Sequence, residues 1–266
     1  MIVLKKQLIK YLALIGIFLL PTIGQAEIIP EDDEWRWTLG TYLITMNIEA
    51  DVSNSVAGTA VTVPLDLSFS DILESYEFIA SGIVRYENDT WGVVADLSYI
   101  DLGTSQTLGP NDGSRVNVSL SIREYEFYGT YRVAPKNPFQ AIAGVRYIDH
   151  DIDVDVSLAG GVLTGDIEIG DSWVDPFFGG QYWDYFGQSK NWWYLARADI
   201  GGFGVGSDFT WRFNAGVGYD FGNGWNMIGQ YRRLDIDFEN GSPADSDYYK
   251  YDSTENGILL GVSYSF

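Results

Sequence analysis

The stretch Trp211-Arg-Phe-Asn-Ala-Gly-Val-Gly-Tyr-Asp-Phe221 sorts its residues by parity. Trp211, Phe213, Ala215, Val217, Tyr219 and Phe221 fall on one face, and Arg212, Asn214, Gly216, Gly218 and Asp220 on the other. A period of two is the signature of a strand with one apolar side. Eleven residues also match the ~9–11 that a tilted strand needs to cross a bilayer. The apolar face suits lipid, and the polar, glycine-rich face suits a narrow lumen.

The closing residues repeat the pattern. Ile258, Leu260, Val262, Tyr264 and Phe266 alternate with Leu259, Gly261, Ser263 and Ser265. Working outward, strands are expected near 35–49, 76–87, 90–102, 115–133, 138–150, 172–186, 192–203, 210–221, 225–238 and 253–266. Asn88-Asp89, Ala134 to Asn137, Gly187 to Asn191 and Gly222-Asn223-Gly224 supply short turns, with Asn, Gly and Pro giving the backbone angles that hairpins require. The other connections, 50–75, 103–114, 151–171, 204–209 and 239–252, are mostly longer and polar. Short turns alternating with long loops belong to an antiparallel up-and-down transmembrane β-barrel of about ten strands, eight or twelve being the alternatives. The 50–75 region leaves the number open. Val61-Thr-Val-Pro-Leu-Asp-Leu could add a short strand, and Phe69 to Tyr76 reads as a helical turn capped by Ser70 or Asp71, folded against the barrel mouth.

The first 26 residues read as a secretory signal. Lys5, Lys6 and Lys10 precede an apolar run from Tyr11 to Leu20, and Gly24-Gln25-Ala26 suits cleavage before Glu27. The barrel domain then spans residues 27–266, with 13 Lys and Arg against 37 Asp and Glu, a net charge of −24. Such a surface is a poor match for nucleic acid, which needs clustered cations. The absence of cysteine excludes disulfides, thiolate catalysis and Cys-based zinc sites. The chain nonetheless carries 9 Trp, 18 Tyr and 14 Phe, a richness that aromatic membrane rims account for.

Several phrases carry a resemblance: Phe69-Ser-Asp-Ile-Leu, Trp91-Gly-Val-Val-Ala-Asp-Leu-Ser-Tyr, Trp173-Val-Asp-Pro-Phe, Ala198-Asp-Ile-Gly-Gly-Phe-Gly-Val-Gly-Ser-Asp-Phe-Thr-Trp211, Gly216-Val-Gly-Tyr-Asp-Phe and Gly261-Val-Ser-Tyr-Ser-Phe. Together they resemble a family of small Gram-negative outer-membrane barrels related in architecture to the transmembrane domain of outer-membrane protein A. The resemblance covers residues ~35–266, with strand ends approximate, and implies an outer-membrane location. It also implies that Val262, Tyr264 and Phe266 serve as a signal to the barrel-insertion machinery. No peptidoglycan-binding domain is expected after Phe266. The implied partners are outer-membrane lipid and lipopolysaccharide, and no cofactor is expected.

Parity turns Arg85, Asp96, Arg146, Asp175, Arg197, Asp199, Arg212 and Asp220 inward. Charges in such a place must be paired or hydrated. Two readings follow: a salt-bridged plug that stiffens the barrel, or a narrow small-solute channel. Acidic outer loops offer a third role, surface binding or adhesion. The single histidine, His150, stands between Asp149 and Asp151 near the outer rim, with Ser157 and Ser172 nearby in sequence. A hydrolase could use it as a general base, and a solvated rim histidine would look the same; no enzymatic activity is expected. Asp151-Ile-Asp-Val-Asp155 imitates a calcium loop, but Val156 and Val162 break the pattern. Its carboxylates, like Asp235, Asp237 and Glu239, are read as an extended acidic loop that could loosely hold cations bridging lipopolysaccharide; no metal site is assigned. Gly201-Gly-Phe-Gly-Val-Gly206 lacks the Lys and helix of a phosphate loop and reads as a tight turn.

Overall fold

The computed structural model describes residues 34–56, 58–107, 115–134, 136–157 and 164–266. The expected signal segment therefore lies outside the described residues. Eleven strands form one antiparallel sheet: β1 (Arg36–Val56), β2 (Thr59–Leu67), β3 (Tyr76–Glu87), β4 (Trp91–Thr107), β5 (Arg115–Arg132), β6 (Phe139–Ser157), β7 (Thr164–Phe186), β8 (Trp192–Gly202), β9 (Phe209–Asp220), β10 (Trp225–Asn240) and β11 (Tyr249–Ser265). Each of β3 to β11 pairs with its sequence neighbour, and β1 closes the ring on β11 from Thr38↔Ser265 to Asn54↔Tyr249. Trp37 and Phe266 exchange backbone hydrogen bonds at 3.0 and 2.9 Å, which ties the ends of the wall together.

The second edge of β1 is divided. Its lower part pairs with β3 (Arg36↔Glu87 to Gly40↔Ile83), and its upper part pairs with β2 (Ile48↔Leu67 to Val56↔Thr59). Ten strands thus make the ring, and β2 is a flap folded back on β1. The short strand within 61–67 exists and begins earlier. A helix, α1 (Phe69–Ser75), joins it to β3, and its cap is Ser68 rather than Ser70 or Asp71. Asp71 occupies the third helical position and completes a capping box with Ser68. Between the two ladders, side chains take over. Tyr42 N donates to Ser81 Oγ at 2.9 Å, and Tyr76 OH donates to the Ile44 carbonyl at 2.7 Å.

Along several long strands the polarity of the alternation inverts. On β6, Phe139, Ala141, Ala143, Val145 and Tyr147 face outward while Gln140 and Arg146 are buried inside. Past Tyr147 the phase of the side chains is unchanged, but their chemistry reverses. Asp149, Asp151, Asp153 and Asp155 now face out, and Ile148, His150 and Ile152 face in. β10 does the same. Met227 and Tyr231 are exposed below, then Arg233, Asp235, Asp237 and Glu239 face outward over buried Leu234, Ile236 and Phe238. β1 turns over between Leu43, exposed, and Ile48, buried, with Glu49 and Asp51 outside. One physical cause explains both halves. A strand wall in hydrocarbon must be apolar outside, whereas the same wall in water must be polar outside and apolar inside.

The inversion marks where lipid ends. From Phe139 to Tyr147, at ~3.3 Å per residue and ~40° of tilt, β6 rises roughly 20–23 Å, close to the ~25 Å apolar band of membrane barrels. Aromatic girdles bound that band. On the side of the chain termini, ring pairs run round the wall: Trp37–Tyr86 at 4.4 Å, Trp91–Tyr131 at 4.5 Å, Trp192–Tyr219 at 5.0 Å and Trp225–Tyr264 at 5.2 Å. On the other side, Tyr125 stacks with Tyr147 at 5.8 Å, and the guanidinium groups of Arg123 and Arg233 lie over Tyr99 and Trp211. No described helix is long and apolar enough to cross a membrane, and the crossing is made by strands.

The segment 151–171, expected as a loop, is strand over 151–157 and 164–171, whereas 239–252 keeps a turn at 241–248 between the ends of β10 and β11. In 151–155 acidic and apolar residues alternate with the period of a sheet whose outer face is wet.

Candidate functional site

The interior of the barrel is built in three layers, each on residues that parity sends inward. The middle layer is ionic. Arg146 from β6 donates to Glu126 at 2.7 Å and to Asp199 at 2.6 Å. Arg197 from β8 binds the same two carboxylates at 3.0 and 2.8 Å. Arg212 from β9 meets Glu126 at 2.8 Å and also bonds Glu124, which Arg232 from β10 bonds from the other side. Five strands are tied across the lumen by this one network. Arg146 is fully buried, and none of its three arginine neighbours exceeds 7 % exposure. Arg146 also lies over Phe177 at 5.0 Å, and Arg197 over Tyr128 at 4.7 Å. Planar guanidinium groups suit this setting, because each can bond two carboxylates and stack on a ring at once.

Of the eight charged residues expected to point inward, Arg146, Asp175, Arg197, Asp199, Arg212 and Asp220 are buried, and Arg85 and Asp96 are half-buried. Asp175 binds Ser207, whose amide and hydroxyl both donate to it at 2.7 Å. Ser207, fully buried, belongs to the turn that joins the end of β8 at Gly202 to the start of β9 at Phe209. A Cβ on Gly206 would lie 2.6 Å from Asp175 Oδ1 and from the Val174 carbonyl, so the close approach requires glycine. Asp96 accepts from Tyr42 OH at 2.7 Å, and Asp220 accepts from the Gly222 amide at 2.7 Å. Arg85 forms no ion pair among the described residues. Sequence reasoning left out Glu87, Glu124, Glu126, Arg132, Arg232 and Glu255, which are buried charges as well. The signal was present. Glu124 and Glu126 share parity with buried Tyr128, while Tyr125 and Phe127 between them face out.

Above the ions sits an apolar cap. Ile122, Ile148, Trp173, Leu234, Ile236, Phe238, Tyr249 and Tyr251 are buried together, and Ile72 of α1 packs into the same cluster. Trp173 stacks on Phe238 with ring centroids 3.9 Å apart. The short β8–β9 hairpin leaves β7 and β10 to meet over it, where Asn240 Nδ2 donates to Asp171 at 2.8 Å.

His150 belongs to this cap and lies beyond the lipid band. It is 3 % exposed and makes edge contacts with Trp173 and Tyr251. Asp149 and Asp151, its sequence neighbours, face outward, as do Ser157 and Ser172. The expected rim histidine among acids is thus a core side chain, because adjacent residues of a strand point to opposite faces. Burial pushes its pKa down from 6.5 to about 4, with Asp149 opposing. An unfolded chain therefore binds a proton here between about pH 6.5 and 4 that the folded chain does not. Stability rises with pH in that window and is lost as pH falls through it, by on the order of 3 kcal/mol. In denaturant titrations, His150→Phe is expected to remove that part of the slope between pH 7 and 4. An unchanged slope would place the imidazole in water.

Outside the cap, the carboxylates form a collar. Burial and the neighbouring Asp153 hold the Asp151 carboxyl above its ordinary value. Arg123 pairs with Asp149 at 2.9 Å and Arg233 with Asp235 at 2.7 Å. Among the described residues, no group of three or more His, Asp or Glu is placed to hold a metal ion.

Below the ions, towards the chain termini, lies a cavity of about 150 Å³ lined by Arg85, Glu87, Asp96, Tyr128, Trp183, Trp193, Asn214 and Asn226 among others.

No protein-family model matches the chain, and no curated protein matches it in sequence. Among solved structures it is similar to the outer-membrane protease OmpT from Escherichia coli, at 8% identity and a TM-score of 0.46, over 88% of this chain and 97% of that one. It is also similar to Ail, the attachment invasion locus protein of Yersinia pestis, at 9% identity and a TM-score of 0.35, over 87% and 98% of the two chains. Neisserial surface protein A matches at 12% identity and a TM-score of 0.29, over 87% and 97%. At such identities these likenesses concern architecture alone.

Proposed function

We propose that this chain is an integral outer-membrane barrel whose lumen is closed, a structural wall protein that carries a rigid acidic collar above the lipid. The observation that carries this reading is the stacking of two seals. Four arginines are bonded to shared carboxylates across the lumen, and a packed apolar cluster lies directly over them. A ten-stranded ring has room for side chains and little else, whereas wide aqueous channels come at ~16–18 strands. A solute would need both layers to move. The outward-facing Val262, Tyr264 and Phe266 of the last strand are, on the same proposal, what the insertion machinery reads before the ring closes. The protein refolded into a planar bilayer is expected to give no discrete conductance steps in salt solution. Steady steps from protein shown to be folded, altered by Arg197→Gln, would instead establish a narrow charged pore.

A second reading, surface binding, is favoured by the collar. Strands that continue past the lipid, with their own core, raise a fixed array of carboxylates into water. Its natural partners would be cationic.

A further inference from the structure

The reversal of polarity at the edge of the lipid has an exception in the hairpin between β8 and β9. Phe139 to Tyr147 spans the apolar band on β6, and the same length of strand runs from Trp192 to Ile200 on β8 and from Tyr219 to Trp211 on β9. Ile200 and Trp211 are register partners, which places both at the outer edge of the band. Phe203, Val205 and Phe209 stand beyond that edge and are exposed, Val205 by 73 %. At this level the neighbouring wall is acidic. Phe209 is the register partner of Asp237 and Trp211 of Asp235, and both aspartates are on the outer face of β10. A surface in water would continue those carboxylates across the hairpin. It carries two phenyl rings and a valine instead.

The hairpin is built to hold these side chains outward. Ser207 is fully buried, and its bonds to Asp175 pin the inner side of the turn. The tip is closed by Val205 N on the Gly202 carbonyl at 3.1 Å and by Gly204 N on the Ser207 carbonyl at 2.9 Å. Phe203 takes a φ of 56°, between Gly202 at 85° and Gly204 at 72°. Bulky residues rarely enter that left-handed region, which glycine occupies freely. The ring, and not the backbone, therefore accounts for a phenylalanine at this position. It stacks on Phe178 with centroids 5.5 Å apart, and Phe178 is exposed on the lipid face of β7. The patch is continuous with the lipid-facing wall.

Apolar side chains raised just past the hydrocarbon edge meet the layer where headgroups and the first methylenes mix, and aromatic rings favour that layer. We propose that the β8–β9 hairpin is a lipid-docking lip, with Phe203, Val205 and Phe209 inserted at the boundary of headgroups and acyl chains in the leaflet remote from the chain termini. Lipid then reaches higher on this flank than on β6 and β10, so the barrel leans towards β8 and β9.

Nitroxide labels on single cysteines at Val205, Asp237 and lipid-facing Phe213 test this in vesicles of phosphatidylcholine and phosphatidylglycerol. Each label replaces one exposed side chain. Collision rates with oxygen and with a water-soluble nickel chelate are compared. The oxygen-to-nickel ratio at 205 is expected to be about tenfold above that at 237 and close to that at 213. In a chain that also carries Phe203→Ser and Phe209→Ser, a label at Ile200 should gain nickel access severalfold, because lipid retreats down the hairpin. Should that double variant fail to fold, the three single labels still decide. Equal ratios at 205 and 237 would overturn the proposal, as would no gain at 200 in the folded double variant. Exclusion of both reagents at 205, the mark of a second protein surface on the patch, would overturn it too. None of these outcomes depends on bilayer conductance, so failure here is distinguishable from failure of the closed-lumen reading.

Discussion

Glu126→Ala is expected to cost about 3–5 kcal/mol of stability, the range for removing one member of a buried ionic network, and in a barrel of ordinary stability to prevent refolding. The magnitude follows from what Glu126 touches. Arg146, Arg197 and Arg212 all bond it, at 2.7, 3.0 and 2.8 Å. Its loss leaves three guanidinium groups with Glu124 and Asp199 as their remaining partners, inside a lipid-surrounded wall where water cannot compensate. Glu126→Gln keeps the shape and one acceptor, so it should be milder, yet clearly destabilised. Urea unfolding in detergent, followed by tryptophan fluorescence, measures both. If Glu126→Ala unfolds at the urea concentration of the unaltered protein, the network is ornamental and the lumen is hydrated.

The second large effect is expected above the membrane. Trp173→Ala should lower stability by about 3–5 kcal/mol, as large-to-small changes at buried aromatics do. Trp173 is 5 % exposed, stacked on Phe238 and edge-on to His150. In a barrel with an open mouth, a residue at this height would border water and could be truncated at little cost. Here it is the centre of a core that joins β6, β7 and β10. Denaturant unfolding again reads the loss. Trp173→Ala within about 0.5 kcal/mol of the unaltered protein, the spread of ordinary surface changes, would mean that the cap is not packed.

The lipid-facing half of this fold is written plainly in the chain, because one rule governs it. Lipid demands apolar residues at every second position, and Trp211 to Phe221 obeys without interruption. The four short turns are equally legible. Lys136 and Lys190 take positive φ values of 60° and 52° in two of them, and Gly222 and Gly224 bracket another at 74° and 86°. The upper half follows the opposite rule, and Asp151-Ile-Asp-Val-Asp155 therefore looks like a polar loop to a reader expecting the first. Its alternation is as regular as that of the membrane strands, with water in place of lipid. The division of β1 between β2 and β3 is a different matter. Which of two segments pairs with which part of an edge depends on three-dimensional register, and no local pattern in 59–87 encodes it.

The inner charges were half legible. Parity identifies Arg146, Arg197, Asp199 and Arg212, but the pairing partners Glu124 and Glu126 stand in Arg123-Glu-Tyr-Glu-Phe127, where an outward arginine disguises the inward acids. The doublet Arg232-Arg233 hides a similar split: the first reaches Glu124 inside and the second Asp235 outside. For His150, the flanking aspartates suggested a rim site. The backbone geometry of a strand separates it from both.

The inversion of polarity along β6 can be measured directly. The chain has no cysteine, so single cysteines carrying a nitroxide label can be placed at will. Labels at Ala141, Val145, Ile148, Asp149, Asp151 and Asp153 in the bilayer-reconstituted protein would be tested for collision with oxygen, which partitions into lipid, and with a water-soluble nickel chelate. The expected result is oxygen access at 141 and 145, nickel access at 149, 151 and 153, and neither at 148. Nickel access at 148 together with lipid access at 149 and 151 would contradict it, placing the aspartates in hydrocarbon and an open, wet lumen where the structure has a core.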